Sequence, residues 1–317
     1  MTATKAPLAL AFACLAALAG PAPLCAQEVR IVDVGIGFPA GEGRRCRPGN
    51  WCPVHVSLAG WEDGPPGEYE VVVETADSDD VLGQYVVSVP RLTGRMTTVL
   101  AYYRPGNRAA GLKAIVRKKG GAAIHSLEKA PGFNETLRPE DIFYLAVGGQ
   151  PKGLRNALVP TRKAGQEPSE QDEKRAERGI AVIDKAGELP DRWFGYAGVD
   201  VVVLSTSGDL IHQLLAPSCS AQVGALGEWV RRGGRLVVGA GRNGHAATEL
   251  LHRFGLRNIT RTGIEADRGL QEVQEWAGVS NDPFPGNQSI MVTRFRLGGG
   301  AVPLVRDREG ERSWPMV

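Results

Sequence analysis

The stretch SAQVGALGEWVRRGGRLVVGAG, residues 220–241, changes its hydrophobic period at a pair of glycines. In its first half Val223, Leu226 and Val230 recur at helical spacing and share one face. Gly233 follows as a residue suited to the left-handed conformation of a helix C-cap. After it, RLVVGAG is a short apolar run bounded by glycines, which is typical of a buried strand. The stretch therefore predicts a helix that leads directly into a strand.

Three further apolar runs precede this unit, namely DIFYLAVGG (residues 141–149), GIAVIDKAGELP (179–190) and VDVVVLST (199–206). Short apolar strands that alternate with helices are typical of a parallel sheet covered on both faces. The charged stretch of residues 161–178 predicts a solvated loop between the first two runs. We therefore predict an α/β domain with a mainly parallel sheet over residues 141–317, to which residues 290–297 and 301–305 add further strands.

The region before the α/β domain has a different pattern. Between residues 29 and 126, apolar and polar residues alternate in short runs separated by Gly, Pro and Asp. The candidate strands are VRIVDVGIGF, CPVHVSLAG, YEVVVETA, GQYVVSVP, MTTVLAYYRPG and LKAIVRKKG. Many short strands at this spacing predict an antiparallel β-sandwich of immunoglobulin-like type over residues 27–130.

The N-terminus has the features of a secretory signal peptide. Lys5 precedes an apolar run over residues 8–19, and the small residue Ala26 provides a cleavage site before Gln27. We expect residues 1–26 to be removed and the protein to be exported to the periplasm or cell envelope. No second apolar stretch is long enough to cross a bilayer, but the chain stops within an apparent strand, so a membrane anchor beyond Val317 is left open.

The composition argues against a nucleic-acid-binding protein. Among 317 residues, 37 Lys and Arg are balanced by 35 Asp and Glu, which leaves a formal net charge of +2. Binding to a phosphate backbone requires a basic stripe, and this chain has none in its sequence. The expected partner is instead another envelope protein, with an unidentified small-molecule ligand as a further option.

Two segments resemble a known family. ELPDRWFGYAGVDVVVLSTSG (residues 188–208) and LGEWVRRGGRLVVGAG (226–241) are similar to the class I glutamine amidotransferase-like domain of bacterial envelope proteins. The resemblance implies a flavodoxin-like three-layer α/β sandwich. It also implies a nucleophilic Cys at the turn of residues 239–244, where the sequence has no Cys, Ser or Thr, and the last histidine, His252, already lies on the next helix. The resemblance therefore implies a catalytically degenerate domain.

The same turn contains Gly239, Gly241 and Gly244, in the G-x-G-x-x-G spacing of dinucleotide-binding proteins. In those proteins the pattern follows the first strand, whereas here several predicted strands precede it. The glycines are explained by a sharp turn from strand to helix, and we predict no cofactor. A small anion held by backbone amides and Arg242 is the alternative at this turn.

A ligand crevice is predicted where the parallel strands end, because loops and helix N-termini converge there. Its candidate residues are Gly148, Gly149, Ser205, Ser207, Asp209, Gly239, Gly241, Arg242 and Gly244. Ser207 and Asp209 are also expected to cap the next helix. No catalytic residue and no metal site is predicted, and the acidic residues Glu74, Asp77, Asp79 and Asp80 are assigned to a solvated turn in preference to a calcium site.

These observations predict an exported, non-catalytic binding or scaffold protein of the bacterial cell envelope. One alternative is a hydrolase that uses Cys219 or the loop of residues 205–209 together with His212. Another is a small-ligand or sugar-binding protein, whose candidate aromatic residues are Trp51, Trp61, Tyr102 and Tyr103. Cys46 and Cys52 are spaced either for a small disulfide loop or for a pair of free thiols.

Overall fold

We analysed a computed structural model of the chain. It describes residues 29–150, 154, 174 and 176–256, and the backbone of four later strands. Within the two long ranges, 29–150 and 176–256, the structure leaves out residues 42, 61–66, 78, 93–95, 107–110, 132–135, 207 and 240–242. The predicted signal peptide lies outside the described residues. No helix in the described part of the chain is both long and apolar enough to span a membrane.

The first nine strands form antiparallel sheets, as alternation in the sequence predicted. They are β1 (Arg30–Ile36), β2 (Phe38–Ala40), β3 (Gly43–Arg45), β4 (Cys52–Ala59), β5 (Tyr69–Ala76), β6 (Leu82–Ser88), β7 (Thr97–Tyr103), β8 (Leu112–Lys118) and β9 (Ala123–Lys129). One sheet has the order β1-β4-β7, the other has the order β6-β5-β8-β9, and β2 pairs with β3 as a small hairpin. We call these nine strands, together with the loops between and next to them, the β part.

One hydrophobic core lies between the two larger sheets. Its side chains come from alternate positions of both sheets, for example Val54 and Val56 of β4 and Ala114 and Val116 of β8. All four are buried, because every second residue of a strand points to the same face. The β part is therefore a pair of packed antiparallel sheets.

The four strands of the parallel sheet are β10 (Tyr144–Val147), β11 (Ile180–Ile183), β12 (Val201–Ser205) and β13 (Arg235–Gly239), in the order β11-β10-β12-β13. Helices α1 (Leu210–Leu215), α2 (Ser220–Arg231) and α3 (Gly244–Arg253) follow β12 and β13 in the chain. A second hydrophobic core combines residues of these strands and helices. We call these strands and helices, together with the segments that connect them, the α/β part. The chain thus combines an all-β and an α/β architecture.

The described part of the opening stretch, residues 220–239, folds as predicted. Helix α2 buries Val223 and Leu226 and ends at Arg231. Gly233 follows with φ of 99°, and its N–H donates to the carbonyl of Val230. Gly234 then passes so close to Trp229 that a Cβ on it would lie 2.3 Å from the indole ring. The two glycines therefore have different roles, one conformational and one steric.

The first candidate strand is shorter than predicted. We expected one strand through Phe38, but β1 ends at Ile36 because Gly37 turns the chain with φ of 91°. A Cβ on Gly37 would lie 2.2 Å from the carbonyl oxygen of Arg45. Phe38 leaves the β core and packs in the α/β core, with its ring centroid 5.8 Å from that of Phe143 and 6.4 Å from that of Tyr196.

The later strands form two antiparallel pairs. Strand β14 (Ile259–Arg268) pairs with β15 (Ser289–Leu297), and β16 (Leu304–Arg306) pairs with β17 (Ser313–Pro315). The predicted strand at residues 290–297 is therefore confirmed, and the one at residues 301–305 is shifted towards the C-terminus.

Candidate functional site

The carboxyl ends of β10, β12 and β13 bring several predicted crevice residues together. Val147 pairs with Leu204, and Ser205 pairs with Gly239, so the three strands end at one edge. Gly148 follows β10 with φ of 84°, and a Cβ on it would lie 2.6 Å from the carbonyl oxygen of Ser205. Only glycine allows the two chains to approach so closely in this conformation.

Thr206 organises this edge, although the sequence analysis did not single it out. It is completely buried directly after β12. Its backbone N–H and its hydroxyl both donate to the carbonyl of Gly239, at 3.1 and 3.0 Å. The Asn243 side chain donates to the Thr206 carbonyl, which ties the start of α3 to the end of β12. A hydroxyl residue after a buried strand was the sequence signal for this role.

The remaining crevice candidates are less closely associated. Gly149 has φ of 99° and open space around its Cα, and Gly244 is the buried first residue of α3. Asp209 precedes α1, but its side chain makes no capping hydrogen bond, so the predicted side-chain cap is wrong at this residue. Its carbonyl instead accepts the N–H groups of His212 and Gln213. Ser207, Gly241 and Arg242 lie outside the described residues.

The alternative hydrolase site requires either Cys219 or the loop of residues 205–209 to converge with His212. His212 and Asp209 are exposed on α1 and before it, and Cys219 is half-buried before α2. Ser218 Oγ lies 4.0 Å from the Cys219 sulfur. Within the described ranges, no hydrogen bond joins the His212 ring to the side chain of Cys219 or Asp209, and Ser207 lies outside those ranges.

Polar side chains connect the β part to the α/β part, and Arg47 makes three of these hydrogen bonds. Its guanidinium donates to both carboxylate oxygens of Asp200, at 3.2 and 2.7 Å, and to the carbonyl of Asp141. Asp200 also accepts the backbone N–H of Phe143 at 2.7 Å. Although partial burial opposes ionisation, Arg47 and the Phe143 amide hold the pKa of Asp200 below its usual range.

Tyr102 of β7 makes the second of these contacts. Its hydroxyl donates to Asp191 Oδ1 at 2.7 Å and accepts the backbone N–H groups of Asp191 and Arg192, at 2.9 and 3.1 Å. Burial, together with the hydrogen bond to the Asp191 carboxylate, raises the pKa of Tyr102 far above its usual value. The hydroxyl thus stays protonated and holds the turn that Asp191 and Arg192 form with residues 193–196. Gly195 in that turn has no room for a Cβ, which would lie 2.6 Å from the Tyr102 ring.

His55 of β4 is a buried ionisable group at the same boundary. Its Nδ1 lies 3.0 Å from the guanidinium of Arg44, and its Nε2 lies 3.3 Å from the carbonyl oxygen of Glu188. Because Arg44 is a donor, Nδ1 accepts and Nε2 carries the proton that it donates to Glu188. Burial and the Arg44 charge lower the pKa of His55 to about 4, so the ring is neutral at physiological pH.

Cys46 and Cys52 are buried thiols that are not joined by a disulfide in the structure. Burial, followed by the neighbouring Cys46 thiol, raises the pKa of Cys52 well above its usual value. The Cys46 carbonyl also accepts the backbone N–H of Leu137 at 2.9 Å. The two side chains are neighbours, and of the two alternatives that the sequence left open the structure has the pair of thiols.

A cleft of about 450 Å³ opens in the β part, between the turn that joins β5 to β6 and the end of β7. Three of the aromatic candidates, Trp51, Tyr102 and Tyr103, line it, and Trp61 lies outside the described residues. Tyr102 and Tyr103 are buried, so only Trp51 is the exposed aromatic expected of a sugar site. The sequence analysis missed the half-buried Tyr85 on β6, whose period-two alternation was the available signal.

The acidic turn between β5 and β6 has local hydrogen bonds. Asp77 Oδ1 accepts the N–H groups of Asp79 and Val81, at 2.8 and 3.0 Å, and Glu74 accepts the amide of Gln84 at 2.6 Å. These bonds are those of a carboxylate-capped turn. In the parts of the chain that the structure describes, no group of three or more His, Cys, Asp or Glu residues could hold a metal ion.

No family model and no curated protein matches the chain. Among solved structures, it is similar to a putative β-galactosidase from Bacteroides fragilis, with 10% identity and a TM-score of 0.25 over 66% of this chain and 40% of that one. It is also similar to a β-glucuronidase from Parabacteroides merdae, with 8% identity and a TM-score of 0.22 over 67% of this chain and 34% of that one. The chain spans less than half the length of either protein, and TM-scores this low indicate neither a shared fold nor a shared activity.

Proposed function

We propose that the chain is an exported, non-catalytic binding or scaffold protein of the bacterial cell envelope, and that its partner is another envelope protein. In this proposal the β part is an immunoglobulin-like domain and the α/β part is a flavodoxin-like, amidotransferase-like domain. The strand order β11-β10-β12-β13 supports the second assignment, because it corresponds to the first four strands of the flavodoxin order 2-1-3-4-5.

The observation that carries this proposal is the set of hydrogen bonds between polar groups of the two parts. Arg47 and Tyr102 donate to the carboxylates of Asp200 and Asp191, His55 donates to the backbone carbonyl of Glu188, and two of the three donors are buried. Hydrogen bonds to charged groups are among the stronger ones in proteins. Surfaces on both parts are thus held in a fixed relation, as a scaffold requires.

The crevice at the carboxyl ends of β10 and β12 is the proposed contact site on the α/β part. These two strands are neighbours in the sheet although β11 lies between them in the sequence, so the strand order reverses there. In open α/β sheets, ligands bind at such a reversal. Gly148, Ser205 and the exposed Gly239 lie at this point, and in the proposal they form the surface that the partner contacts.

A glycine substitution at the crevice tests the contact site. Gly239→Glu adds a charged side chain to an exposed position whose Cβ has ordinary contacts, and Gly224→Glu adds the same side chain to the exposed face of α2. In cross-linking of the protein within envelope fractions, we expect a specific protein adduct that Gly239→Glu loses and Gly224→Glu retains. An adduct pattern that is identical in both variants would contradict the proposed contact site.

Two further measurements test the other elements of the proposal. Residues 1–26 fused to a reporter enzyme that is active only outside the cytoplasm should yield activity, and an inactive fusion would contradict export.

The purified protein should not release ammonia from glutamine. Release of ammonia that Gly239→Glu abolishes would overturn the non-catalytic assignment.

A further inference from the structure

The cleft beside Trp51 has an aromatic wall that is fixed by packing. The Trp51 ring lies 5.3 Å from that of Phe194 and 6.4 Å from that of Tyr85, measured between centroids. Tyr85 in turn packs edge-on against Tyr102 at 5.4 Å. Trp51 nevertheless keeps 36% of its surface exposed. A large aromatic ring is thus held rigidly at the edge of an open cleft.

Polar groups of both signs line the same cleft. Asp77 and Asp79 lie on the turn between β5 and β6, and Arg104 follows β7 on the other side. The Arg104 Nε donates to the Gly49 carbonyl at 2.8 Å, and the Asp77 carboxylate caps its own turn, so neither wall depends on a flexible side chain alone. Arg104 and Asp79 are both exposed, so a ligand in the cleft can reach their side chains.

The aromatic ring and the charges of both signs together restrict which ligands the cleft can bind. An anion would meet two carboxylates, and a cation would meet the Arg104 guanidinium. A neutral molecule with several hydroxyls can accept from the guanidinium and donate to the carboxylates at the same time. The aromatic ring favours a ligand with an apolar face, and the volume of about 450 Å³ is in the range of small-molecule pockets.

We infer that this cleft binds a neutral saccharide, with the C–H face of a sugar ring against Trp51 and its hydroxyls on Asp79 and Arg104. The inference agrees with the proposed function in treating the chain as a binding protein. It assigns a ligand class to a separate site, however, because none of the crevice residues lines this cleft.

Binding is tested by calorimetric titration of the purified protein with cellohexaose, maltohexaose and chitohexaose. We expect saturable binding of at least one of them, and Trp51→Ala should weaken it by about tenfold, because an aromatic stacking contact is lost. Trp193→Ala is the matched control. Its ring is 38% exposed and contacts Arg232 outside the cleft, so its removal should leave the affinity unchanged.

A second variant keeps the test valid if Trp51→Ala does not fold. Asp79→Asn preserves the shape of an exposed side chain and removes its charge, and it should weaken binding on the order of fivefold. Gly239→Glu should bind the saccharide like the unmodified protein, so that failure of the crevice proposal and failure of this inference are distinguishable.

Three results would overturn the inference. The first is the absence of binding to all three oligosaccharides at millimolar concentration. The second is binding that Trp51→Ala and Asp79→Asn leave unchanged. The third is saturable binding of an uncharged hexapeptide, used as the comparison ligand, without binding of any saccharide, which would assign the cleft to peptides.

Discussion

At the scale of single residues, His55 makes the stability of the protein depend on pH. Its pKa is about 4 in the folded chain, below the usual value of 6.5, because it is buried beside Arg44. The unfolded chain therefore binds a proton more readily. The contribution of the neutral ring is present above pH 6.5 and is lost as the pH falls towards 4. The full loss corresponds to about 3 kcal/mol.

Urea unfolding at pH 7 and at pH 4.5 measures this effect. His55→Gln keeps a polar side chain that does not titrate in this range, so the variant should lose less unfolding free energy between the two pH values than the unmodified protein. Equal losses in the two proteins would show that His55 does not cause the pH dependence.

Tyr102 supports a second prediction at the same scale. Tyr102→Phe removes one hydroxyl that makes three hydrogen bonds and leaves the amides of Asp191 and Arg192 without their acceptor. The unfolding free energy should fall by about 1–3 kcal/mol. Tyr69→Phe in the neighbouring sheet is the control, and chemical denaturation should show a smaller loss. If the two losses are equal, the hydroxyl of Tyr102 has no special role.

At the scale of elements, replacing one glycine of α2 and one glycine of the turn that follows it by alanine should change the unfolding free energy in opposite directions. Gly234→Ala places a Cβ 2.3 Å from the Trp229 ring and should destabilise the protein by about 1–3 kcal/mol. Gly224 lies on the exposed face of α2 with open space around it, so Gly224→Ala should stabilise the protein by about 0.5–1 kcal/mol. Thermal unfolding of both variants checks the signs, and a shift in the same direction would refute the steric argument.

The elements also show what could be predicted from the sequence. Strands β10 to β13 and helix α2 lie within the predicted segments, because hydrophobic period and a C-cap glycine are local signals. The approach of Gly148 to Ser205 followed from the rule that parallel strands end at one edge. The break at Gly37 was missed, since Phe38 turns towards Phe143 and Tyr196, which are distant in the sequence.

The polar contacts between the parts were beyond prediction for a related reason. Arg47 and Tyr102 are ordinary polar residues in their own segments, and only the fold brings them to Asp200 and Asp191. Likewise, Trp51 was a candidate from the sequence but Tyr85 was not, because alternation marks Tyr85 as one face of β6 without indicating that this face meets β7.

At the scale of the whole molecule, the two parts should unfold together. Arg47, His55 and Tyr102 connect them, so calorimetry of the unmodified protein should show one cooperative transition. In the double variant with Arg47→Ala and Tyr102→Phe, the transition should broaden or split into two. A single unchanged transition in that variant would mean that the apolar contacts, including those of Phe38, are sufficient to couple the parts.

The position of Phe38 also has a consequence for how the chain reaches its native state. It belongs to the core of the α/β part but is synthesised long before Phe143 and Tyr196, its partners there. Until those residues emerge, the aromatic ring at the start of β2 stays uncovered. Closing such a distant contact is slow, and exposed apolar surface during the delay favours aggregation. We therefore expect the segment around Phe38 to be the part of the nascent chain that gains most from a chaperone.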